Sequence, residues 1–358
     1  MAQLELHRRF PGAQSIAHEP LAALPTPVRR LPNLARELGL SELWLKDDGQ
    51  TSDVYGGNKV RKLEFLLAHA RDEGHEAVWT VGAIGSHHVL ATALMARKMG
   101  LTPQALHFPQ PLTDHVREVL QALSTAAPEL ELASSKHTMP LILAKRRAAQ
   151  WFSSKPGPYY IPGGGSAPRG VLGYVNATLE LARQIDEGLL PMPDTIVVTL
   201  GSGGTLAGLV LGAAIAELPC RIVGVRVVDR VVANATLTAS LANRTASLLR
   251  RFGIASPRVS TDNFQVIHDQ FGSGYGEPTD AGLAAMELAQ TFADLELDPT
   301  YTAKTFAAIM QRPPSSTPST QRVLYWHTLS SADLSPLVEA ADLGCLPDSY
   351  RSFFNGSS

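Results

Sequence analysis

One stretch in the second half of the chain restricts the possible folds more than any other. Thr195 to Leu200 (TIVVTL) is apolar on both faces, as is typical of a parallel strand covered by helices on both sides. It runs directly into the glycine-rich turn GSGGT at Gly201–Thr205 and then into a helix of small residues. A buried strand, a tight turn and a helix in this order predict an α/β fold with a parallel sheet.

The rest of the chain repeats this alternation. A helix is expected from Lys59 to about Gly74, because apolar residues recur there at spacings of three and four. We expect two domains, each an open, twisted, mostly parallel sheet flanked by helices. The proline- and serine-rich segment 313–320 is expected to be a surface loop. Further strands and helices are expected at 42–46, 77–81, 87–99, 104–108, 115–123, 130–133, 141–152, 159–161, 170–187, 221–228, 233–251, 279–295, 303–311 and 323–327.

Composition excludes several classes of function. Of the 358 residues, 44% are hydrophobic and 18% charged, with a formal net charge of -2, so no basic field favours nucleic acid. Two cysteines are too few for a secreted disulfide scaffold. The N-terminal MAQLELHRRF has no apolar core of signal-peptide length, and no apolar run approaches the roughly 20 residues of a membrane span. We therefore expect a cytoplasmic protein without a nucleic-acid or membrane partner.

The turn at Gly201–Thr205 is a candidate anion site. Its glycines let the backbone approach a ligand, and the first N–H groups of the following helix suit a phosphate. Glycines are also common in tight strand-to-helix turns that bind nothing, so the turn alone leaves both interpretations open. It lacks the lysine of a Walker loop and the GxGxxG spacing of a dinucleotide fingerprint.

A second feature is the lysine in YGGNKVRK at Tyr55–Lys62. Lys59 opens a helix directly after a glycine pair and an asparagine. A cation at a helix N-terminus opposes the macrodipole, and a lysine whose charge is destabilised becomes a nucleophile for carbonyls. The alternative is an ordinary solvated start of a basic helix.

A third turn, GAIGSHH, lies at Gly82–His88. Its backbone N–H groups and the Ser86 hydroxyl can hold a carboxylate. His87 and His88 are adjacent and point apart on a helix, and no acidic or histidine partner lies three or four residues away. We therefore expect no metal site here.

The three turns occur in the order found in a known family. The sequence resembles the pyridoxal-phosphate (PLP) enzymes that include D-cysteine desulfhydrase and 1-aminocyclopropane-1-carboxylate (ACC) deaminase, which have the tryptophan-synthase-β-like fold, fold type II. The resemblance extends from about residue 40 to residue 327. The matching segments are YGGNKVRKLE (55–64), IPGGGSAPRGVLGYV (161–175), GSGGTLAGL (201–209), GYGEPTDAG (274–282), LDPTYTAK (297–304) and VLYWHT (323–328).

The resemblance implies pyridoxal 5'-phosphate as the cofactor, carried as a Schiff base on Lys59, and a small amino acid as the substrate. It also implies a larger PLP-binding domain of residues 1–57 and 159–358, a smaller domain of residues 58–158, and a homodimer. The implied catalytic residues are Lys59, Ser86 at the substrate carboxylate, and Tyr275 and Tyr301 beside the reacting carbon. The implied cofactor contacts are Lys59, Asn58, His87, Gly201, Ser202, Gly203, Gly204, Thr205 and, at the ring nitrogen, Thr328.

Several positions depart from the family pattern. Gly85 replaces a glutamine, which should leave more room beside the substrate, and His87 replaces an asparagine that contacts the ring hydroxyl. Either His87 takes over this contact or the site is altered. Leu329 and Ser330 stand where the family has two glycines, and Thr302 stands where ACC deaminase has a glutamate.

The activity that this resemblance favours is an α,β-elimination that yields a keto acid and ammonia, as in D-cysteine desulfhydrase. The changes at Gly85 and His87 predict a bulkier substrate than D-cysteine or ACC. Four alternatives remain open: ACC-type ring opening, β-replacement, racemisation, and a PLP-binding protein without turnover.

Overall fold

The computed structural model describes residues 3–135, 138–151, 156–311 and 321–354. The strands in these ranges are β1 (Val28–Arg30), β2 (Glu42–Asp47), β3 (Ala77–Ala83), β4 (Thr102–Phe108), β5 (Glu129–Leu132), β6 (Tyr159–Ile161), β7 (Thr195–Leu200), β8 (Arg221–Arg226), β9 (Gln265–Ile267) and β10 (Arg322–His327). The helices are α1 (Glu5–Arg9), α2 (Pro32–Glu37), α3 (Asn58–Asp72), α4 (His87–Lys98), α5 (Asp114–Ser124), α6 (Met139–Trp151), α7 (Pro168–Asp186), α8 (Gly204–Ala216), α9 (Ala235–Arg251), α10 (Asp280–Ala293), α11 (Thr302–Met310), α12 (Ser335–Glu339) and α13 (Asp348–Arg351).

The strands form two sheets, as the sequence predicted. The larger has the order β1-β2-β10-β7-β8-β9, in which only the pair β1–β2 is antiparallel. The smaller is wholly parallel and has the order β5-β4-β3-β6. The predicted α/β class with two mostly parallel sheets is confirmed.

The larger sheet is covered closely because α8 has glycine at two positions that face α7. β7 is buried along its whole length, with α7 and α8 packed together on one side. A Cβ atom at Gly208 would lie 2.3 Å from Cβ of Tyr174, and one at Gly212 would lie 2.5 Å from Cβ of Thr178. Glycine at these two positions therefore lets α8 approach α7. This packing also holds the turn before α8 in place.

The smaller sheet reaches beyond the predicted domain boundary. β6 pairs with β3, and Leu346 and Tyr350 near the C-terminus pack in the same apolar cluster as Leu120. A boundary at residue 158 would separate β6 from its sheet. The division into domains stays a prediction, and we propose that the smaller unit extends to Ile161.

Some short elements were not predicted. β1 lies in a proline-rich segment for which no strand was predicted, and β9, α12 and α13 have only three to five residues each. The predicted loop at 313–320 lies outside the described residues. No helix in the described part of the chain is long and apolar enough to cross a membrane.

Candidate active site

The loops that follow β3, β7 and β10 meet at one cavity of about 1000 Å³. This is where the carboxyl ends of parallel strands place ligands in open α/β sheets. The roles of the predicted site residues stay predictions, but the structure brings all of them together. The residues that line the cavity include Asn58, Lys59, Ser86, His87, Gly201, Ser202, Gly203, Gly204, Thr205, Tyr275, Tyr301 and Thr328.

The loop before Lys59 is fixed against the loop that follows β10. Gly57 has a φ of 83°, and a Cβ there would lie 2.9 Å from the Thr328 carbonyl oxygen, so this position requires glycine. The Asn58 N–H donates to that same oxygen at 3.2 Å. The Gly56 N–H donates to the Ser330 hydroxyl at 2.9 Å, which gives the departure at Ser330 a structural role.

The Lys59 amine is adapted to react with a carbonyl group. It donates to Oδ1 of Asn58 at 2.5 Å. Burial lowers its pKa to about 8, while the Asp298 carboxylate acts in the opposite direction. About a tenth of the amine is then neutral at pH 7, compared with roughly one molecule in 3000 for an ordinary lysine.

A buried ionic network holds α3, and with it Lys59, on the larger sheet. Arg61 lies at 2.9 Å from both Asp48 and Glu180, and Lys46 lies at 2.5 Å from Glu180. Burial opposes ionisation of Glu180, but Arg61 and Lys46 outweigh it and lower its pKa to about 2. Loss of one partner from such a network leaves a buried charge unpaired, so the network fixes the position of the helix.

The predicted phosphate turn is a structured cup. Gly203, with a φ of 87°, precedes α8 without a side-chain cap, so N–H groups at the helix start have no partner within the helix. Ser166 accepts from the Gly204 N–H at 3.0 Å and donates to Ser202 at 2.7 Å. A phosphate at this cup would meet backbone donors and the positive end of the α8 dipole.

Lys62 is a cup residue that was not predicted. Its side chain is buried, its Nζ donates to the Gly164 carbonyl oxygen at 3.1 Å, and a Cβ built on Gly204 would lie 3.3 Å from it. Burial, and then the charge of Lys59, holds its pKa well below the usual value. No carboxylate among the described residues forms an ion pair with it, so a phosphate dianion would supply the missing counter-charge. This is the observation on which the site fits pyridoxal phosphate.

The turn at Gly82–Ser86 begins α4. A Cβ at Gly82 would lie 2.5 Å from Oγ of Ser86, which itself accepts from the Val89 N–H at 3.4 Å as a helix cap. The hydroxyl proton of Ser86 and the free N–H groups of the first turn are suited to a carboxylate.

The expectation of extra room beside Gly85 is wrong. A Cβ at Gly85 would lie 2.8 Å from Nε2 of Gln110 and 2.8 Å from Cγ2 of Val116. These two side chains, more than 20 positions away along the chain, lie where the Cβ atom of the family glutamine would be.

Two tyrosines face each other across the cavity wall. The hydroxyl groups of Tyr275 and Tyr301 are hydrogen-bonded to each other, and burial raises the pKa of both. Asp298, which was not predicted, lines the cavity and accepts from the Tyr301 N–H at 2.7 Å and from the Thr302 hydroxyl at 2.6 Å. The matching segment LDPTYTAK includes this loop, but the sequence did not show that Asp298 holds the loop through these hydrogen bonds.

His87 lies at the cavity with both ring nitrogens engaged. Nδ1 is hydrogen-bonded to the Tyr55 hydroxyl, and Nε2 lies 2.9 Å from Nε2 of His115. In this arrangement His87 has no nitrogen left for the cofactor ring hydroxyl, so its contacts do not support the predicted replacement of asparagine. His88 is hydrogen-bonded to Thr80 instead, at 2.8 Å. The described residues contain no cluster of three metal-ligating side chains.

Comparison with known proteins agrees with this geometry. The family model "Pyridoxal-phosphate dependent enzyme" matches residues 20–328. D-cysteine desulfhydrase of Salmonella paratyphi B is 36% identical over 311 residues, which cover 84% of this chain and 88% of that enzyme. A crystal structure of an ACC deaminase homologue has a TM-score of 0.77 and 29% identity, covering 97% of this chain and 100% of the other. A fungal L-serine ammonia-lyase from Rhizomucor miehei has a TM-score of 0.59 at 18% identity, covering 90% and 98% of the two chains, and shows a similar fold only.

Proposed function

The chain belongs to the pyridoxal-phosphate dependent enzymes, in the family that includes D-cysteine desulfhydrase, and we propose that it eliminates the β-substituent of a small amino acid such as D-cysteine. The observation that carries this proposal is the position of Lys59. Its amine, with a pKa of about 8, shares one cavity with the phosphate cup, the Ser86 turn and the tyrosine pair.

When bound, pyridoxal phosphate supplies an aldehyde for Lys59 and a ring that stabilises negative charge on the substrate carbon. The Gly201–Thr205 cup and Lys62 would hold its phosphate. Thr328, directly after β10, would provide a neutral partner for the ring nitrogen. A hydroxyl group leaves that nitrogen largely unprotonated, which favours elimination over transamination.

The turn at α4 orients the substrate, and Lys59 removes a proton from it. The Ser86 hydroxyl and the N–H groups that follow it hold the carboxylate, which turns the Cα–H bond toward Lys59. The neutral amine of Lys59 takes this proton. One of the hydroxyl groups of Tyr275 and Tyr301 donates to the other, and the accepting hydroxyl keeps its own proton, which it can give to the leaving group. Hydrolysis then gives a keto acid and ammonia.

ACC ring opening is the second candidate, because an ACC deaminase homologue is a structural neighbour along the whole chain. The position of the deaminase glutamate is occupied by Thr302, whose hydroxyl is hydrogen-bonded to Asp298. We therefore rank elimination first. The argument for a bulkier substrate loses its support at Gly85, where Gln110 fills the space, so D-cysteine remains the first substrate to test.

The test is a comparison of D-cysteine, L-cysteine and ACC as substrates of the purified holoenzyme, with keto acid, sulfide and ammonia as measured products. We expect sulfide and keto acid from a cysteine, with kcat/KM of about 10⁴ M⁻¹s⁻¹ or more. Lys59→Ala should abolish turnover, and borohydride should fix the cofactor on the Lys59 peptide of the unchanged enzyme. Ammonia from ACC without sulfide from cysteine would favour the second candidate, and cofactor fixed on another lysine would overturn the assignment.

The homodimeric state implied by the resemblance and the cytoplasmic location expected by elimination from the sequence are proposals as well. Sedimentation of the purified protein tests the first, and fractionation of cells that produce it tests the second.

A further inference from the structure

Four side chains form a continuous row of hydrogen bonds from the cavity wall to the outer surface. Tyr55 is 2% exposed and lines the cavity, and its hydroxyl contacts Nδ1 of His87. Nε2 of His87 lies 2.9 Å from Nε2 of His115, and Nδ1 of His115 lies 3.3 Å from Oε2 of Glu118. The side chains of His115 and Glu118 are 50% and 43% exposed, so the row ends in solvent.

The hydrogen positions along this row follow from its outer end. The Glu118 carboxylate can only accept, so Nδ1 of a neutral His115 carries the proton and its Nε2 accepts. Nε2 of His87 must then be the donor and Nδ1 the acceptor, which leaves the donor role to the Tyr55 hydroxyl. Burial, and then the neighbouring His115, lowers the pKa of His87 to about 4, so the inner ring is neutral at pH 7. Every donor thus meets one acceptor, in a single direction.

We propose that Tyr55, His87, His115 and Glu118 form a proton path between the reacting groups and solvent. The inference rests on the proposed function, because a reaction at Cα is what releases a proton beside Lys59. The path gives His87 a role other than the predicted contact with the cofactor ring, and it assigns a role to two residues on α5.

The outward transfer is balanced at each link. Lys59 gives up the proton it took from Cα through one water molecule in the cavity to the Tyr55 oxygen. As that O–H bond forms, the original hydroxyl proton moves to Nδ1 of His87. The Nε2 proton of His87 moves to Nε2 of His115. The Nδ1 proton of His115 moves to Glu118, which releases it to water.

The transfer reverses the two inner hydrogen bonds and leaves Nδ1 of His115 without a proton, so the next proton enters from solvent at that nitrogen and travels inward. An elimination removes one proton from Cα and later delivers one to the leaving group or to the nitrogen product. One outward and one inward transfer therefore restore the starting tautomers after each turnover, and the path needs no further proton donor.

The first test needs no turnover. Nitrogen-15 NMR of histidine-labelled holoenzyme, assigned with His87→Asn and His115→Ala variants, reports which ring nitrogens carry protons. We expect the Nε2–H tautomer for His87 and the Nδ1–H tautomer for His115 at pH 7. An Nδ1–H tautomer or an imidazolium at His87 would overturn the path.

The second test uses activity with a matched control. His115→Ala should lower kcat by about tenfold, less than the 10² or more of a directly acting acid or base. Added imidazole should restore the rate, because the position is half exposed. Asp114→Asn, on the same helix and outside the row, should leave kcat and imidazole sensitivity unchanged. An unchanged kcat in His115→Ala, or a loss that imidazole does not restore, would show that the row is structural.

The two failures are distinguishable. If no amino acid is turned over by the unchanged enzyme, the proposed function fails, whereas the NMR result still decides whether the row exists.

Discussion

Removal of the Lys62 amine should weaken cofactor binding while leaving the cofactor-free fold intact. Lys62→Met keeps the length of the side chain and deletes a buried ammonium that has one carbonyl partner and no carboxylate ion pair among the described residues. A charge-assisted contact to phosphate contributes about 2–3 kcal/mol when it is desolvated, which corresponds to about 30- to 150-fold in Kd. In the cofactor-free protein the same change removes a buried amine whose charged form no carboxylate of the described residues stabilises, so stability should stay level or rise.

The lowered pKa of Lys62 should also make the stability of the cofactor-free protein depend on pH. Because the pKa of Lys62 is lowered in the folded state, the unfolded chain binds one proton more at pH values between the folded pKa and the usual value of 10.5. The free energy of unfolding of the cofactor-free protein should therefore rise with pH across that window, and Lys62→Met should flatten the rise.

Titration of the cofactor-free variant with pyridoxal phosphate, followed by absorbance, gives the Kd, and urea unfolding gives the stability. Lys98→Met, at the exposed end of α4, controls for the loss of a positive charge. A Kd within threefold of the unchanged protein, or a clear loss of stability without cofactor, would refute the argument.

Three further results are expected. Gly203→Val should raise the Kd for the cofactor about 5- to 150-fold, because φ is 87° while the nearest atom, Oγ1 of Thr238, leaves room at 3.6 Å; an unchanged Kd in an absorbance titration contradicts this. The rate of cofactor capture by Lys59, measured by stopped flow, should rise about tenfold per pH unit and level off above the pKa of about 8, since only the neutral amine reacts; a flat profile would show that the amine is already neutral. Gly85→Gln should lower the unfolding free energy by about 1–3 kcal/mol by crowding Gln110, and Gln110→Ala should relieve the loss in the double variant; additive losses would show that the two side chains do not compete.

Much of the fold could be predicted because its signals are local. Long helices and buried strands carry their periodicity within one segment, and the predicted strand at Thr195–Leu200 matches β7 at both ends. The turns between them are tight, so the position of Gly201–Thr205 follows directly from the strand before it. Parallel strands bring such turns to the same edge of a sheet, which is why every predicted site residue lies at one cavity.

What could not be predicted depends on contacts between distant segments. The pairing of β6 with β3 decides to which sheet a three-residue strand belongs, and nothing in Tyr159–Ile161 itself indicates the choice. The volume beside Gly85 is set by Gln110 on the next loop, and the partner of His87 is 28 positions away at His115. A substitution seen in sequence alone shows which side chain is missing, but not which neighbour has taken its place.

The two lysines at the start of α3 have different roles because their surroundings differ, although the residue type is the same. Lys59 and Lys62 lie almost one helical turn apart and both have lowered pKa values, so each satisfies the sequence argument for a reactive amine. The Lys62 amine is directed to the Gly164 carbonyl oxygen beside the cup, where an anion is needed. The Lys59 amine is directed to Asn58 within the field of Asp298, where a proton can be taken and returned. A phosphate at the cup keeps Lys62 charged, and that charge favours the neutral form of Lys59, so binding at one end of the cofactor promotes the chemistry at the other.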